Sequence, residues 1–213
     1  MTAFPLEPAP IHVPDEVLDD LRARLALTRP PLDEGNEDWF YGVPDSYLRE
    51  LVAYWRDGYD WRKAEAAINA YDHYQVRVAG VPVHFMCKPG RGPRPVPLIL
   101  THGWPWTFWH WSKVTGPLAD PAAFGGDPAD AFDVIVPSLP GFGFPGPLAG
   151  FPDVNFWKVA DLWHVLMTQT LGYEKYAAGG CDIGGIVSSQ LGHKYVDELY
   201  GIHIGSGRPL DMF

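Results

Sequence analysis

Three short loops hold the residues of this chain whose types and spacing can do chemistry. They are Thr101-His102-Gly103-Trp104-Pro105, the stretch from Pro137 and Ser138 through Gly141 to Phe144, and Gly179-Gly180-Cys181-Asp182-Ile183-Gly184-Gly185. The last has a small–x–nucleophile–x–small spacing about Asp182. A sharp strand-to-helix turn brings two backbones so close that only small residues fit two positions either side of its apex, here Gly180 and Gly184. The apex then stands above the sheet at the start of the following helix, where the dipole and free N–H groups favour a carboxylate. An aspartate held ionised and desolvated there can attack an electrophilic carbon and form an ester. The same backbone suits an aspartate that only caps the helix after it, an ordinary role for this residue. The loop alone leaves both readings open.

The elements that must position these loops follow from the apolar pattern. From Pro97 onward, short apolar runs alternate with helical stretches: Leu98-Ile99-Leu100, Asp133-Val134-Ile135-Val136, Tyr176-Ala177-Ala178 and Gly201-Ile202-His203-Ile204, with helices expected at 154–171 and 184–199. Apolar strands alternating with helices predict a parallel sheet covered on both faces, with its chemistry at the strands' carboxyl ends. Upstream, Gln75-Val76-Arg77-Val78 alternates as a half-exposed strand, and Gly80 turns the chain into Val83-His84-Phe85-Met86, an antiparallel hairpin. The first seventy residues predict helices with proline-rich joints. Val17, Leu18, Leu21 and Leu25 share a stripe that starts after Pro14 and is stopped by Pro30-Pro31. Tyr47, Leu48, Leu51, Val52 and Trp55 share a second stripe after Pro44, and a third helix covers 61–71. The aromatic residues of this region read as packing.

The 213 residues allow one sizeable domain, or one domain with a small appendage, and a core that needs no disulfide or metal. Sixteen Lys and Arg against 26 Asp and Glu give a net charge of −10, which argues against nucleic acid and anionic membrane as partners. A hydrophobic content of 46% excludes a disordered tail. Cys87 and Cys181 make no disulfide framework or zinc signature, and the histidines show no metal-ligand spacing. The N-terminus lacks the charged and apolar regions of a signal peptide, and no apolar stretch reaches the length of a bilayer span. The expectation is a cytoplasmic protein.

The segments VPDEVLDDLRARLALTR, YLRELVAYWRDGYDWRKAEAAIN, LILTHGWPWTF, FDVIVPSLPGFGF and GYEKYAAGGCDIGG occur in that order. Together they resemble the epoxide hydrolases that carry the epoxide hydrolase N-terminal region, within the α/β-hydrolase superfamily. The likeness is to the microsomal and juvenile-hormone types and to bacterial homologues without a membrane anchor. It covers nearly the whole chain, and HGWP with the two downstream motifs is specific. The resemblance implies an α/β fold: an N-terminal helical meander and about the first six strands of an α/β-hydrolase sheet. Residues 1–111 would form the N-terminal region and 97–213 a partial hydrolase core. It also implies opening of a small apolar epoxide to a vicinal diol through a covalent aspartyl ester, with no cofactor and no metal.

Position by position, the resemblance makes Asp182 the nucleophile and gives Trp104 and Ile183 the backbone N–H groups of an oxyanion hole. It sets Trp104 and Pro105 at the substrate pocket with a cis bond between them, and makes His102 structural. Three positions depart from the family: Ile183 stands where a tryptophan is common, His110 where an acid is frequent, and Pro145 where a serine often closes the loop. In the family a helical cap, an acid and a late histidine follow the nucleophile. Here only His193 and His203 follow, one expected in a helix and one in a strand, and both read as structural. The chain, ending at Phe213, is therefore expected to be about half of such an enzyme, lacking cap, C-terminal strands and catalytic acid–histidine pair. Its last strand, with no proline or lysine through Ser206, is expected to need a neighbour: a complementing C-terminal chain or self-association.

Other readings carry less. Gly141 to Gly146 matches G-x-G-x-x-G, but Pro145 and Pro147 remove N–H groups where a phosphate-binding helix begins. Cys181 reads as a small buried hydrophobe. Trp104, Trp106, Phe108, Trp109 and Trp111 divide between core and pocket, with Trp104 nearest the site. The alternatives to epoxide opening are a dehalogenase using the same ester and a non-catalytic half acting through association.

Overall fold

The computed structural model describes residues 4–32, 35–144, 146, 148, 151 and 153–205; Pro145, Pro147, Ser206 and Phe213 of the sequence reading lie outside them. The chain divides into two compact units, Ile11–Ile68 and the combination of Met1–Pro10 with Asn69–Phe213.

The first unit is helical, with α1 (Asp15–Ala26), α2 (Asp45–Asp57) and α3 (Trp61–Ile68). Pro14 precedes α1 and Asp15 and Glu16 occupy its first turn, where they complement the dipole. The helix ends at Ala26, ahead of Pro30-Pro31, and buries Leu18 and Leu25 while Val17 stays exposed. α2 departs from expectation. It packs against α1, yet none of its residues is buried, and Tyr47, Tyr54 and Trp55 are exposed. A stripe of large rings is wider than one helix contact can cover, so these aromatics form surface rather than core. α3 stops at Ile68, three residues short of the expected end, because Asn69 and Ala70 turn the chain toward its first strand. Buried Glu65 joins α3 to the chain entering α1. Its carboxylate accepts the Val13 N–H at 2.7 Å, the Arg62 guanidinium at 2.6 Å and the Trp61 indole N–H at 3.0 Å. Burial raises the Glu65 pKa, but these three hydrogen bonds and the Arg62 charge outweigh it and hold the carboxyl at about 2.

The second unit holds a six-stranded mixed sheet: β1 (Asp72–Val78), β2 (Val81–Lys88), β3 (Val96–Thr101), β4 (Phe132–Pro137), β5 (Tyr176–Gly180) and β6 (Leu199–Ile204), in the order β1-β2-β4-β3-β5-β6. All six expected strands form. β1 and β2 make the hairpin, β2 runs antiparallel to β4, and β3 runs parallel to both β4 and β5, with β6 parallel to β5. The parallel crossovers pass through α4 (Ser112–Ala119), α5 (Phe156–Val165) and α6 (Ile183–Lys194). α5 gives way to a wider π turn at Leu166–Thr170. α6 ends five residues earlier than expected, and β6 begins at Leu199 rather than Gly201, because Leu199 pairs with Tyr176 across a bulge. Tyr74, Phe85, Ile99, Ile135, Trp163, Tyr176 and Leu191 form the buried centre. The first described residues join this unit: Phe4 meets Tyr74, Phe85 and Tyr173 edge-on, and the Ala9 N–H donates to the His73 carbonyl at 2.8 Å.

Two features of the second unit bear on its loops. The first turn of α6 lies directly on the end of β3: a Cβ on Gly184 would stand 2.0 Å from the Thr101 carbonyl oxygen. At the other side of the sheet's order, β6 pairs only with β5 among the described residues, and its Tyr200 and Ile202 are exposed.

Gly184→Ala is therefore expected to lower unfolding stability by about 3 kcal/mol or more, because the obstructing atoms are backbone and cannot rotate away; urea titration measures it. For Glu65→Gln the expected loss at pH 7 is about 2 kcal/mol. The native Glu65 pKa is depressed, so the wild-type advantage is present above the unfolded carboxyl value, near 4.5, and fades as pH falls toward 2. Unfolding curves of both proteins between pH 7 and pH 2 should converge; a constant difference would contradict this account.

Candidate active site

Asp182 stands at the apex between β5 and α6 with φ 52° and ψ −125°, a left-handed conformation that costs a non-glycine residue about 1–3 kcal/mol. The close packing of Gly180 and Gly184 holds it there, since a Cβ on Gly180 would meet the Gly184 backbone at 2.3 Å. The start of α6 is capped by main chain, the Gly185 and Ile186 N–H groups donating to the Asp182 carbonyl at 2.9 and 3.2 Å. The side chain makes no capping bond. It turns instead toward the loop after β3, where Asp182 Oδ1 accepts the Trp104 N–H at 2.9 Å. Gly103 permits this approach, because a Cβ there would lie 2.5 Å from both Cβ and Oδ1 of Asp182. The expected desolvation is not met: Asp182 is exposed, because the apex rises above the sheet and no described element roofs it.

Trp104 and Pro105 are joined by a cis peptide bond, and both are exposed beside this contact, as is Trp106. Phe108 is buried, so the aromatic cluster does divide between surface and core. Ile183 opens α6 directly after the apex, its side chain half-buried against the core. Cys181 is only half-buried, against the expectation of a buried hydrophobe, because the turn lifts it with Asp182; its Sγ lies 3.9 Å from His110 Nε2. Burial and then the Asp182 charge push its thiol pKa up. His193 and His203 are both exposed, at the end of α6 and on β6, so burial gives neither a structural role.

His102 is buried, with Nε2 accepting the Leu139 N–H at 3.0 Å and Nδ1 3.1 Å from the Gly103 carbonyl oxygen. Burial lowers its pKa against the opposing Gly103 bond, and His110 lowers it further. A second histidine cluster is not apparent from the loops. His84 Nδ1 lies 2.9 Å from Ser138 Oγ, and His84 Nε2 lies 3.0 Å from His73 Nδ1, with all three residues buried. Phe108 meets His84 edge-on at 4.8 Å. Burial, then the His73 charge, hold the His84 pKa down at about 3, so this imidazole stays neutral. The hairpin register was the signal: pairing His73 with Met86 and Gln75 with His84 sets the two histidines diagonally on one face. The loop after β4 is thus tied at Ser138 to β2 and at Leu139 to the loop after β3.

Among the described residues no three potential metal-ligating side chains cluster, and no helix is long and apolar enough to cross a membrane. The arrangement is a carboxylate on a strained turn, one oxygen already held by a backbone N–H, with exposed apolar rings beside it. Such a group can attack carbon and then present its carbonyl oxygen to the same donor.

Known proteins resemble the chain over most of its length. Residues 6–111 match the family described as epoxide hydrolase N terminus, and residues 96–209 match the alpha/beta hydrolase fold. A Stigmatella aurantiaca (strain DW4/3-1) protein is 42% identical over 202 residues, covering 93% of this chain and 45% of its own length. Epoxide hydrolase 1 of Oryctolagus cuniculus is 32% identical, with 93% of this chain and 44% of that protein covered. The structure of Aspergillus niger epoxide hydrolase superposes with a TM-score of 0.81 at 27% identity, over 95% of this chain and 52% of that one. Juvenile hormone epoxide hydrolase of Bombyx mori superposes at 0.80 and 25% identity, over 96% of this chain and 54% of that one. The chain thus spans about half the length of the relatives it matches. It belongs to the α/β-hydrolase fold family, in the branch that carries the epoxide hydrolase N-terminal region.

Proposed function

We propose that Asp182 is the nucleophile of an epoxide hydrolase reaction and that the substrate is a small apolar epoxide. The observation that carries this reading is the bond from the Trp104 N–H to Asp182 Oδ1 at the apex of the turn. Oδ2 attacks a ring carbon, the epoxide C–O bond breaks, and the departing alkoxide takes a proton from water, leaving a hydroxyalkyl ester on Asp182. Oδ1 is then the ester carbonyl oxygen and already lies on its donor. Water that has given a proton to the hydroxide left by the first step adds to the carbonyl, and the Trp104 and Ile183 N–H groups stabilise the oxyanion. Collapse expels the diol as its alkoxide, which takes the acid's proton, releasing the vicinal diol and restoring the carboxylate. Exposed Trp104, Pro105 and Trp106 supply an apolar rim. The relatives named as epoxide hydrolases support epoxide over a carbon–halogen bond.

The same reading takes residues 1–111 as the N-terminal region and 97–213 as a partial hydrolase core. A cytoplasmic setting belongs to it, supported by two unpaired cysteines. The pairing of β6 with β5 alone among the described residues, with exposed Tyr200 and Ile202, supports association at that edge with a complementing C-terminal chain, or with a second copy. Sedimentation of the purified chain is expected to show self-association that an added complementing chain suppresses. A well-behaved monomer indifferent to such a chain would count against the edge.

Incubation with styrene oxide is expected to add one epoxide mass to the peptide containing Asp182, and Asp182→Asn to abolish the adduct. The adduct should persist in this chain. His102 has both ring nitrogens engaged, and His193 and His203 lie on the end of α6 and on the edge strand. Hydrolysis without a positioned general base is slower by about 10²–10⁴-fold. Absence of any adduct at Asp182 by mass spectrometry would sink the nucleophile assignment; rapid, Asp182-dependent diol formation would show that a base is present.

A further inference from the structure

Between Leu139 and Asp182 the site carries hydrogen-bonding groups in series. The Leu139 N–H donates to His102 Nε2, His102 Nδ1 faces the Gly103 carbonyl oxygen, and the N–H of the same Gly103–Trp104 peptide donates to Asp182 Oδ1. An amide N–H only donates and a carbonyl oxygen only accepts. The imidazole must therefore carry its single proton on Nδ1. A proton on Nε2 would set two donors face to face and leave the Gly103 carbonyl opposite a lone pair. With the proton on Nδ1, every donor in the series points toward the carboxylate, and hydrogen bonds aligned in this way polarise one another.

The geometry also limits motion. The Gly103–Trp104 peptide is planar, so fixing its carbonyl fixes the direction of its N–H. His102 is itself held, with Phe142 edge-on at 5.5 Å and Leu139 following Ser138, whose Oγ lies on buried His84. We propose that His102 is a positioning residue which, as the Nδ1–H imidazole, orients and polarises the Gly103–Trp104 peptide so that its N–H is held on the Asp182 carboxylate. The inference rests on the reading of Asp182 as nucleophile for what the aimed N–H accomplishes, whereas the aiming itself is measured without epoxide.

The test is nuclear magnetic resonance of the ¹⁵N-labelled chain and four variants. In the wild type, long-range ¹⁵N–¹H spectra are expected to show His102 protonated on Nδ1 and bare on Nε2. The Trp104 amide proton is expected downfield, moving upfield in Asp182→Asn and in His102→Leu. An asparagine amide reaches the Nδ1 position and a glutamine amide the Nε2 position. His102→Asn should therefore retain the Trp104 amide shift and lose that of Leu139, while His102→Gln should do the reverse. A residue that merely fills space would give Asn and Gln the same spectrum. A proton on Nε2 in the wild type, or identical Trp104 shifts in the Asn and Gln variants, overturns the proposal. Should His102→Leu fail to fold, the wild-type tautomer and the Asn–Gln pair still decide. Retention of the expected spectra without a styrene oxide adduct on Asp182 would strike the nucleophile reading and leave the positioning role supported.

Discussion

Gly184 lies on the Thr101 carbonyl and Gly103 lies on the Asp182 side chain, each with no room for a methyl group. These two contacts bring the start of α6, the end of β3 and the loop after it to within one backbone thickness of each other. Everything at the site depends on that approach. It forces Asp182 into a left-handed conformation, lifts its side chain above the sheet, and puts the Trp104 N–H where a carboxylate oxygen can take it. The strain at Asp182 persists because main chain on both sides leaves it no alternative.

Polar groups in the second unit follow a consistent rule. Burial lowers the pKa of His84 and of His102, and each ring serves as a two-ended connector. His102 joins the loops after β3 and β4, and His84 joins β1, β2 and the loop after β4 through His73 and Ser138. An imidazole suits such positions because it offers one donor and one acceptor on a rigid ring, and burial removes the competing charged form. The result is a loop cluster held by directed bonds where apolar packing alone would leave several orientations equivalent.

The helical unit solves its problem differently. Its α2 surface leaves large rings exposed, and its fixed point is a buried carboxylate, Glu65, satisfied by a backbone N–H, an indole and a guanidinium. A charge in that position is stable only with all its partners present, so α3 and the chain entering α1 at Val13 are tied by a condition stricter than hydrophobic contact. The pH dependence of its stability follows from the same group.

The sequence by itself determined the six strands, the hairpin, the two later crossover helices and the glycine frame around Asp182, but not the crossover through α4. Each depends on residues near one another in the chain: a run of apolar side chains, a turn at Gly80, small residues two places either side of an apex. It did not determine what Asp182 does with its side chain. A capping side chain and one turned toward the loop after β3 share one local backbone, and its direction is set by Trp104, 78 residues away, once the sheet order puts β3 beside β5. The burial of helix stripes, the exposure of Asp182, the pairing of His73 with His84 and the two partners of His102 were likewise decided only by tertiary structure. Their partners come from separate strands and loops, and a hydrogen bond's direction depends on which groups the fold brings face to face, something no local period records.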